Sequence, residues 1–216
     1  MMEIYALGVG HNTPVFIDLA ESCGYIIKGL YHYDSSKTGL EDYGFPVLGS
    51  FEDLLLEDSL EGMNFILTMG NSVIRTELSD KIRSMGGAVP TLIHPSSVIS
   101  RFADVSDVGV YIGPFTYIQA NSSVGDNTVI LSHVNISHDT SVGNSVFIAG
   151  GSMIGAYTKI EDYAFVGQHV TSISGKVNKI GSHSYVGAGA LLTSDVRENT
   201  IVAGFPAKEI TRTTCI

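Results

Sequence analysis

The chain has 216 residues, 44% of them hydrophobic, with two cysteines and a formal charge of −10. That is enough for one large or two small domains with a real core. No apolar run approaches the roughly eighteen residues of a membrane span, and an acidic chain without a basic stripe repels nucleic acid. Residues 1–97 carry 13 acidic and 5 basic side chains, residues 98–216 carry 9 and 7. Small anionic ligands remain open, because backbone N–H groups and a few lysines bind phosphate locally. Cys23 and Cys215 are too few and too far apart for a disulfide or metal framework. The N-terminus has no basic region ahead of its apolar stretch, so no secretory signal is expected and the cytoplasm is the expected compartment.

Residues 3–9 read as a strand running into Gly8-Val-Gly-His-Asn12, and Pro14 opens a helix that runs to Cys23. Tyr25–Tyr33 reads as a second strand ending at Asp34, and Phe65–Met69 as a third. Gly70-Asn71 and a helix from Ser72 to about Met85 follow. Alternating strands and helices predict a small parallel sheet. A glycine turn that opens a helix is a phosphate-binding device, because first-turn N–H groups converge on the ligand. Gly8-Val-Gly10 lacks the third glycine of a dinucleotide fingerprint, which counts against a dehydrogenase. Asp34 stands where a sugar or base edge would be met, and a plain packing turn is the alternative. The predicted boundary is a domain over 1–92, a linker over 93–97 through His94-Pro95, and a second domain over 98–216.

The second domain has the strongest signal. Ile112, Ile118, Val124, Ile130, Ile136, Val142, Ile148, Ile154, Ile160 and Val166 keep an unbroken period of six. A small or β-branched residue stands two positions before each, from Val110 and Thr116 to Thr158 and Ala164. Helices repeat near 3.6 and strands at 2, so neither explains the pattern. A parallel β-helix does: each hexapeptide makes one side of a triangular coil of about eighteen residues, with the aliphatic residues stacked inside. The period loosens before Ile112 (Ile99, Val105) and after Val166 (Ile173, Ile180, Val186, Leu192). Residues 171–179 should bulge from one edge. Gly113, Gly125, Gly143, Gly155, Gly167, Gly181 and Gly187 follow inward positions, where positive φ or close coil contact would demand glycine. Gly204–Ile210 reads as a cap.

His138-Asp139 carries the candidate chemistry. His138 lies two residues past inward Ile136, so its ring points outward, and Ala120 and Ala156 lie one coil below and above. A neighbouring carboxylate orients an imidazole and raises its basicity, as a general base at neutral pH requires. The backbone N–H of Ala156, over His138, is an expected oxyanion donor, worth about 3–4 kcal/mol when well placed. His133, Gly151 and His169 form a second column beside Ser132, Gly150 and Gln168. Gly150-Gly151 should leave a flat patch near His138 for a slender ligand or a tight subunit contact. His94 and His183 read as structural and His32 as a strand residue. No cluster suggests a metal.

A small Gly-His domain, a hexapeptide β-helix with His138-Asp139 and the ending Gly204-Phe-Pro-Ala-Lys208 together resemble the PglD/NeuD-like sugar O-/N-acyltransferases over nearly the whole chain. The resemblance implies a Rossmann-like N-terminal domain followed by a left-handed parallel β-helix, against the usual right-handed crossover rule. It implies a homotrimer with acetyl-CoA as donor between adjacent β-helices. The implied acceptor is a nucleotide-linked amino-dideoxy sugar of bacterial glycan biosynthesis. By motif position His138 matches the base and Asp139 the acidic residue beside it. Gly10, His11, Asp34, Gly49, Gly70, Asn71 and Arg75 match substrate-binding positions, and Phe147, Gln168 and Ala188 match acetyl-CoA positions. Phe147 stands where some members carry a second histidine, and Leu131 where PglD-like sequences commonly carry asparagine. Two other readings stand beside N-acetylation: O-acetylation of a sialic acid-type sugar, and a non-catalytic β-helix scaffold or ligand sensor.

Overall fold

The computed structural model describes residues 2–211; Cys215 lies outside the described residues. The chain divides into one unit of Met1–Leu92 with Asp107–Gly109 and another of Ile93–Ser106 with Val110–Ile216.

The first unit contains β1 (Met2–Leu7), α1 (Thr13–Ser22), β2 (Tyr25–His32), β3 (Glu41–Asp42), β4 (Phe45–Ser50), α2 (Phe51–Leu54), β5 (Phe65–Leu67) and α3 (Ser72–Ser84). The sheet order is β3-β4-β2-β1-β5. All neighbours are parallel except the β3–β4 hairpin at one edge. Ile4, Ala6, Leu7, Leu30, Phe65, Ile66 and Leu67 have no exposed surface, as expected of strands covered on both faces. Strand β4 escapes a reading by alternation, because Pro46 and Gly49 interrupt its pattern. Pro46 is tolerated opposite Glu41 in the outer hairpin. The order of strands reverses beside β1, with β2 on one side and β5 on the other. Such a switch point opens a crevice at the carboxyl ends of the strands.

The second unit is a left-handed parallel β-helix. Successive coils pair eighteen residues apart: Ile118 with Ile136 and Ile136 with Ile154. Three sheets result, one for each side of the triangle. The inward residues from Ile112 to Val166 are at most 3% exposed, and each buried aliphatic side chain contributes about 1.5–3 kcal/mol. The small residues two positions earlier have a specific use. Thr116, Thr128 and Ser152 donate their hydroxyls to the carbonyls of Leu131, Gly143 and Gly167 at 2.8–2.9 Å. These corner carbonyls, one coil up, are thereby satisfied without water.

Four expectations change. The glycines after inward positions have no positive φ; the left-handed residues sit two places later at each corner, as Asn121, Asn127, His133, Asp139, Ser145, Gly151, Tyr157, Tyr163 and His169. The glycines instead permit coil contact: a Cβ on Gly167 would lie 2.7 Å from the Ala188 nitrogen. Ser172, not Ile173, takes the inward slot, and its hydroxyl accepts from the Gly155 N–H. Residues 93–97 are no linker, because His94 N and Val98 N already donate to Ile112 O and Thr116 O of the next coil. The extra residues before Ile112 leave the coil, and Gly109 N donates to Val89 O of the first unit's chain. Beyond residue 172 the chain bulges as expected, and Lys208–Glu209 folds back antiparallel on Ile201–Ala203 to cover the last coil.

Ile136 sits in the middle of its column with no exposed surface. Ile136→Asp would bury an unpaired charge at a cost of several kcal/mol and should abolish the cooperative melt of the β-helix. A wild-type melting curve for this variant would mean that Ile136 does not face inward.

Candidate functional site

His138 and Asp139 share the corner between the sheet containing Asn135–Ile136 and the one containing Ser141–Val142. Residues adjacent along a strand point apart, yet the His138 Nδ1 and Asp139 Oδ2 are 2.7 Å apart. The left-handed conformation of Asp139, φ +56°, turns its carboxylate back onto the ring; aspartate is among the residues that adopt it most readily. Below, the Asn121 amide donates to Asp139 Oδ1 at 3.2 Å. These hydrogen bonds, the one from His138 first and the one from Asn121 second, hold the Asp139 carboxyl below the usual carboxylate range. An ionised carboxylate only accepts, so Nδ1 carries the proton and Nε2 keeps its lone pair. The His138 side chain is 47% exposed, and Tyr157, one coil above Asp139, meets its ring edge-on at 5.3 Å. Gln119 fixes the backbone by accepting from His138 N, and its own amide is held by Asn135.

Ala156 is at hand but its N–H is not free. It donates to the Ser174 hydroxyl at 2.9 Å. The N–H expected as an oxyanion donor is thus engaged by the serine from the bulge after residue 172.

The positions matched to acetyl-CoA binding lie elsewhere on the triangle. Gln168 and Ala188 are exposed at the corner that also holds Ser132, Gly150 and Gly151. Ser132, His133, Gly150, Gly151, Gln168 and His169 line a cavity of about 300 Å³ there. This corner follows the sheet of Ile148 and Val166, whereas His138 follows the sheet of Ile118 and Ile136. Gly150-Gly151 is thus not close to His138 within one chain. Nor is the patch bare, because the His169 ring fills the space over Gly151, where a Cβ would lie 2.5 Å from it. Phe147 stacks on Phe165, and Phe165 on Tyr185, at 5.3 and 4.6 Å along an outer face. His133 packs on Phe115 and His183 on Tyr163, and His94 bonds to Ser96.

In the first unit, the strand ends bring most of the expected acceptor positions to one edge. Thr13 Oγ1 takes the Gly10 N–H and bonds to Thr68 Oγ1, tying the first turn to the chain after β5. His11 is exposed beside Gly10. Around Gly10 a Cβ would meet nothing within 4 Å, and Gly70 faces the Asn12 side chain. Tyr43, which the sequence reading missed, donates its hydroxyl to Gly10 O at 3.1 Å. Asp34 accepts from Ser36 N, and hydrogen bonds from Ser36 hold its carboxyl below the usual range. Gly49 packs between Asp53 and Tyr31, and Asn71 caps α3 by accepting from Val73 N and Ile74 N. Arg75, matched to a substrate-binding position, is 1% exposed and donates to Met69 O beside the Gly70 turn.

No family model matches the chain. The GDP-perosamine N-acetyltransferase of Escherichia coli O157:H7 is 29% identical over 186 residues, covering 85% of this chain and 83% of the relative. The crystal structure of PerB from Caulobacter crescentus, in complex with CoA and GDP-perosamine, superposes with a TM-score of 0.87 at 26% identity, covering 98% of both chains. The acetyltransferase domain of PglB from Neisseria gonorrhoeae FA1090, in complex with acetyl coenzyme A, has a TM-score of 0.84 at 27% identity over 96% of this chain and 98% of that one. The chain is similar over nearly its whole length to these sugar acetyltransferases. Among the described residues no three His, Cys, Asp or Glu side chains gather as a metal site.

Gln119, Asn121, Tyr157 and Ser174 were absent from the sequence reading. Stepping one coil of eighteen from Asp139 finds Asn121 and Tyr157, and stepping two coils from His138 finds Ser174; Gln119 lies one coil below Ser137 and has no such signal from the pair.

The lowered Asp139 pKa sets a sign. Asp139 contributes stability that is complete above its unfolded value of about 3.9 and is lost as pH falls through the lower folded value. Asn121→Ala should move the Asp139 titration upward, and His138→Ala should move it further, because the ring is the larger cause. Carboxyl-carbon NMR titrations of the three proteins check this; identical curves would contradict the arrangement.

Proposed function

We propose that this protein transfers the acetyl group of acetyl-CoA to the amino group of a nucleotide-linked amino sugar, with His138 as general base. The observation that carries the residue assignment is the His138–Asp139 pair, with Nδ1 held by the carboxylate and a half-exposed ring whose Nε2 keeps its lone pair. The small side chains of Ala120 and Ala156, one coil below and above, do not crowd the ring by size. The acceptor amine adds to the thioester carbonyl carbon while His138 Nε2 takes the amine's proton. The carbonyl π pair moves to oxygen, then returns as the C–S bond breaks. The thiolate leaves with the proton from His138, giving the free thiol and the amide. Asp139 stays ionised and stabilises the imidazolium between the two transfers.

The nucleotide end of the acceptor falls to the first unit. Gly10, His11, Asp34, Gly70 and Asn71 lie at the carboxyl edge of a parallel sheet beside its switch point, where nucleotides are generally held. Gly49 and Arg75 shape that edge from behind. GDP-perosamine, the ligand of the Caulobacter relative, is the first acceptor to try. Acetyl-CoA falls to Gln168, Ala188 and the outer face of Phe147. Since His138 and Gln168 occupy different corners of one chain, a homotrimer that apposes these corners from neighbouring protomers completes the site. The reaction belongs to the cytoplasm, which supplies acetyl-CoA. No described helix is long and apolar enough to cross a membrane.

With acetyl-CoA and a panel of GDP-, UDP- and dTDP-linked amino sugars, His138→Ala should lower kcat by roughly 10²–10⁴ and leave the acceptor Kd nearly unchanged. Asp139→Asn should fall between it and the wild type. His133→Ala and His169→Ala are the controls; if either loses more than His138→Ala while still folded, the base is misassigned. Acetylation of hydroxyl acceptors alone would favour O-transfer.

Apposed corners make a second test possible. Ala188→Trp, which blocks the donor corner, and His138→Ala should each be nearly inactive alone. Co-expressed, they should regain activity, because a mixed trimer contains corner pairs with both residues intact. No recovery from verified mixed trimers would place both residues in one chain's site.

A further inference from the structure

Ser174 is a polar side chain in the His138 column with no part in the mechanism above. It belongs to the bulge between inward Ser172 and inward Ile180, and follows Ala156 by one further step of the column. Its approach is built in. Gly155 lets the bulge press onto the coil below, since a Cβ there would lie 2.6 Å from the Ser174 nitrogen and 2.9 Å from its Cα. From that position the hydroxyl accepts the Ala156 N–H at 2.9 Å. The His138 ring lies 5.3 Å from that of Tyr157, the chain neighbour of Ala156. Ala156, whose N–H the hydroxyl takes, stands one coil above His138 in the same column.

A serine hydroxyl has one proton to give and two lone pairs. Accepting from Ala156 uses a lone pair and polarises the O–H bond, which strengthens it as a donor. We propose that Ser174 is a catalytic residue: its hydroxyl, oriented by the Ala156 N–H, donates the hydrogen bond that stabilises the oxyanion of the tetrahedral intermediate. This rests on the acetyl transfer proposed above and supplies the electrostatic part that the base does not. As the amine nitrogen bonds to the thioester carbon, the π pair becomes a full charge on oxygen, and the Ser174 O–H meets it. When that pair returns and the C–S bond breaks, the hydrogen bond relaxes, and Ser174 neither loses nor gains a proton.

Wild type, His138→Ala, Ser174→Ala and Ser174→Thr would be compared by steady-state kinetics with acetyl-CoA and the preferred acceptor, with CoA affinity by calorimetry and melting temperature for each. Ser174→Ala should lose about 10²-fold in kcat, the usual effect of removing one such donor. CoA affinity and melting should stay unchanged, since residue 174 is exposed. Ser174→Thr, which keeps a hydroxyl, should recover most of the rate. Unchanged or faster turnover in Ser174→Ala would overturn the proposal and assign the oxyanion to the uncovered Ala156 N–H. A loss confined to KM, or a threonine variant as slow as alanine, would overturn it too. A wild type without acetyl transfer, or a His138→Ala variant of full activity, sinks the reaction itself and this proposal with it; a histidine-dependent enzyme indifferent to Ser174 sinks only this one.

Discussion

Everything in the second unit depends on coils repeating at eighteen residues with their aliphatic side chains stacked inside. Parallel strands a little under 5 Å apart must hydrogen-bond at every level, so a residue's environment is set by residues eighteen before and after it. The interior column through Ile118, Ile136 and Ile154 holds the register. Hydroxyls of buried threonines and serines satisfy the corner carbonyls that strand pairing leaves over. Glycines after the inward positions allow adjacent coils to touch.

The His138–Asp139 pair is a by-product of that geometry. Each side must turn sharply to close a triangle, and a left-handed residue makes the turn. Where that residue is aspartate preceded by histidine, the turn folds carboxylate onto imidazole at no additional cost to the fold. The same corner residue one coil below is Asn121, which holds the carboxylate, and one coil above is Tyr157, which limits the ring. Orientation of the His138 ring is therefore over-determined by backbone that the fold needs in any case, which is how a half-exposed histidine keeps a defined geometry.

A triangular coil also separates functions by direction. Side chains at one corner cannot meet those at another in the same chain, because the packed interior lies between them. Residues matched to the base and to the donor fall on different corners, so association of protomers is a chemical requirement of the proposed reaction rather than an accessory to stability. The first unit follows another logic, with its ligand edge created where the strand order reverses beside β1.

Several of these features were legible in the sequence because they are periodic or local. The unbroken spacing of six from Ile112 to Val166 sufficed for the coil, its interior and the outward histidine, since no other structure keeps that period. The Gly8–Asn12 turn and the Asn71 cap were likewise readable, each resting on a few adjacent residues. Strand β4 was hidden by Pro46 and Gly49, which erase alternation without preventing pairing. The inward role of Ser172 was hidden by Ile173 beside it, because hydropathy favours the isoleucine and only the position of the bulge decides. Placement of the positive φ, two residues past the glycines, depends on where the corner falls relative to the strands. The burial of Arg75 and the reach of Ser174 to the Ala156 nitrogen are contacts between segments brought together by folding. Sequence by itself determined the repeat and the adjacency of His138 and Asp139 at one corner; tertiary structure alone decided which groups converge on them, because convergence depends on distances between coils that no local pattern encodes.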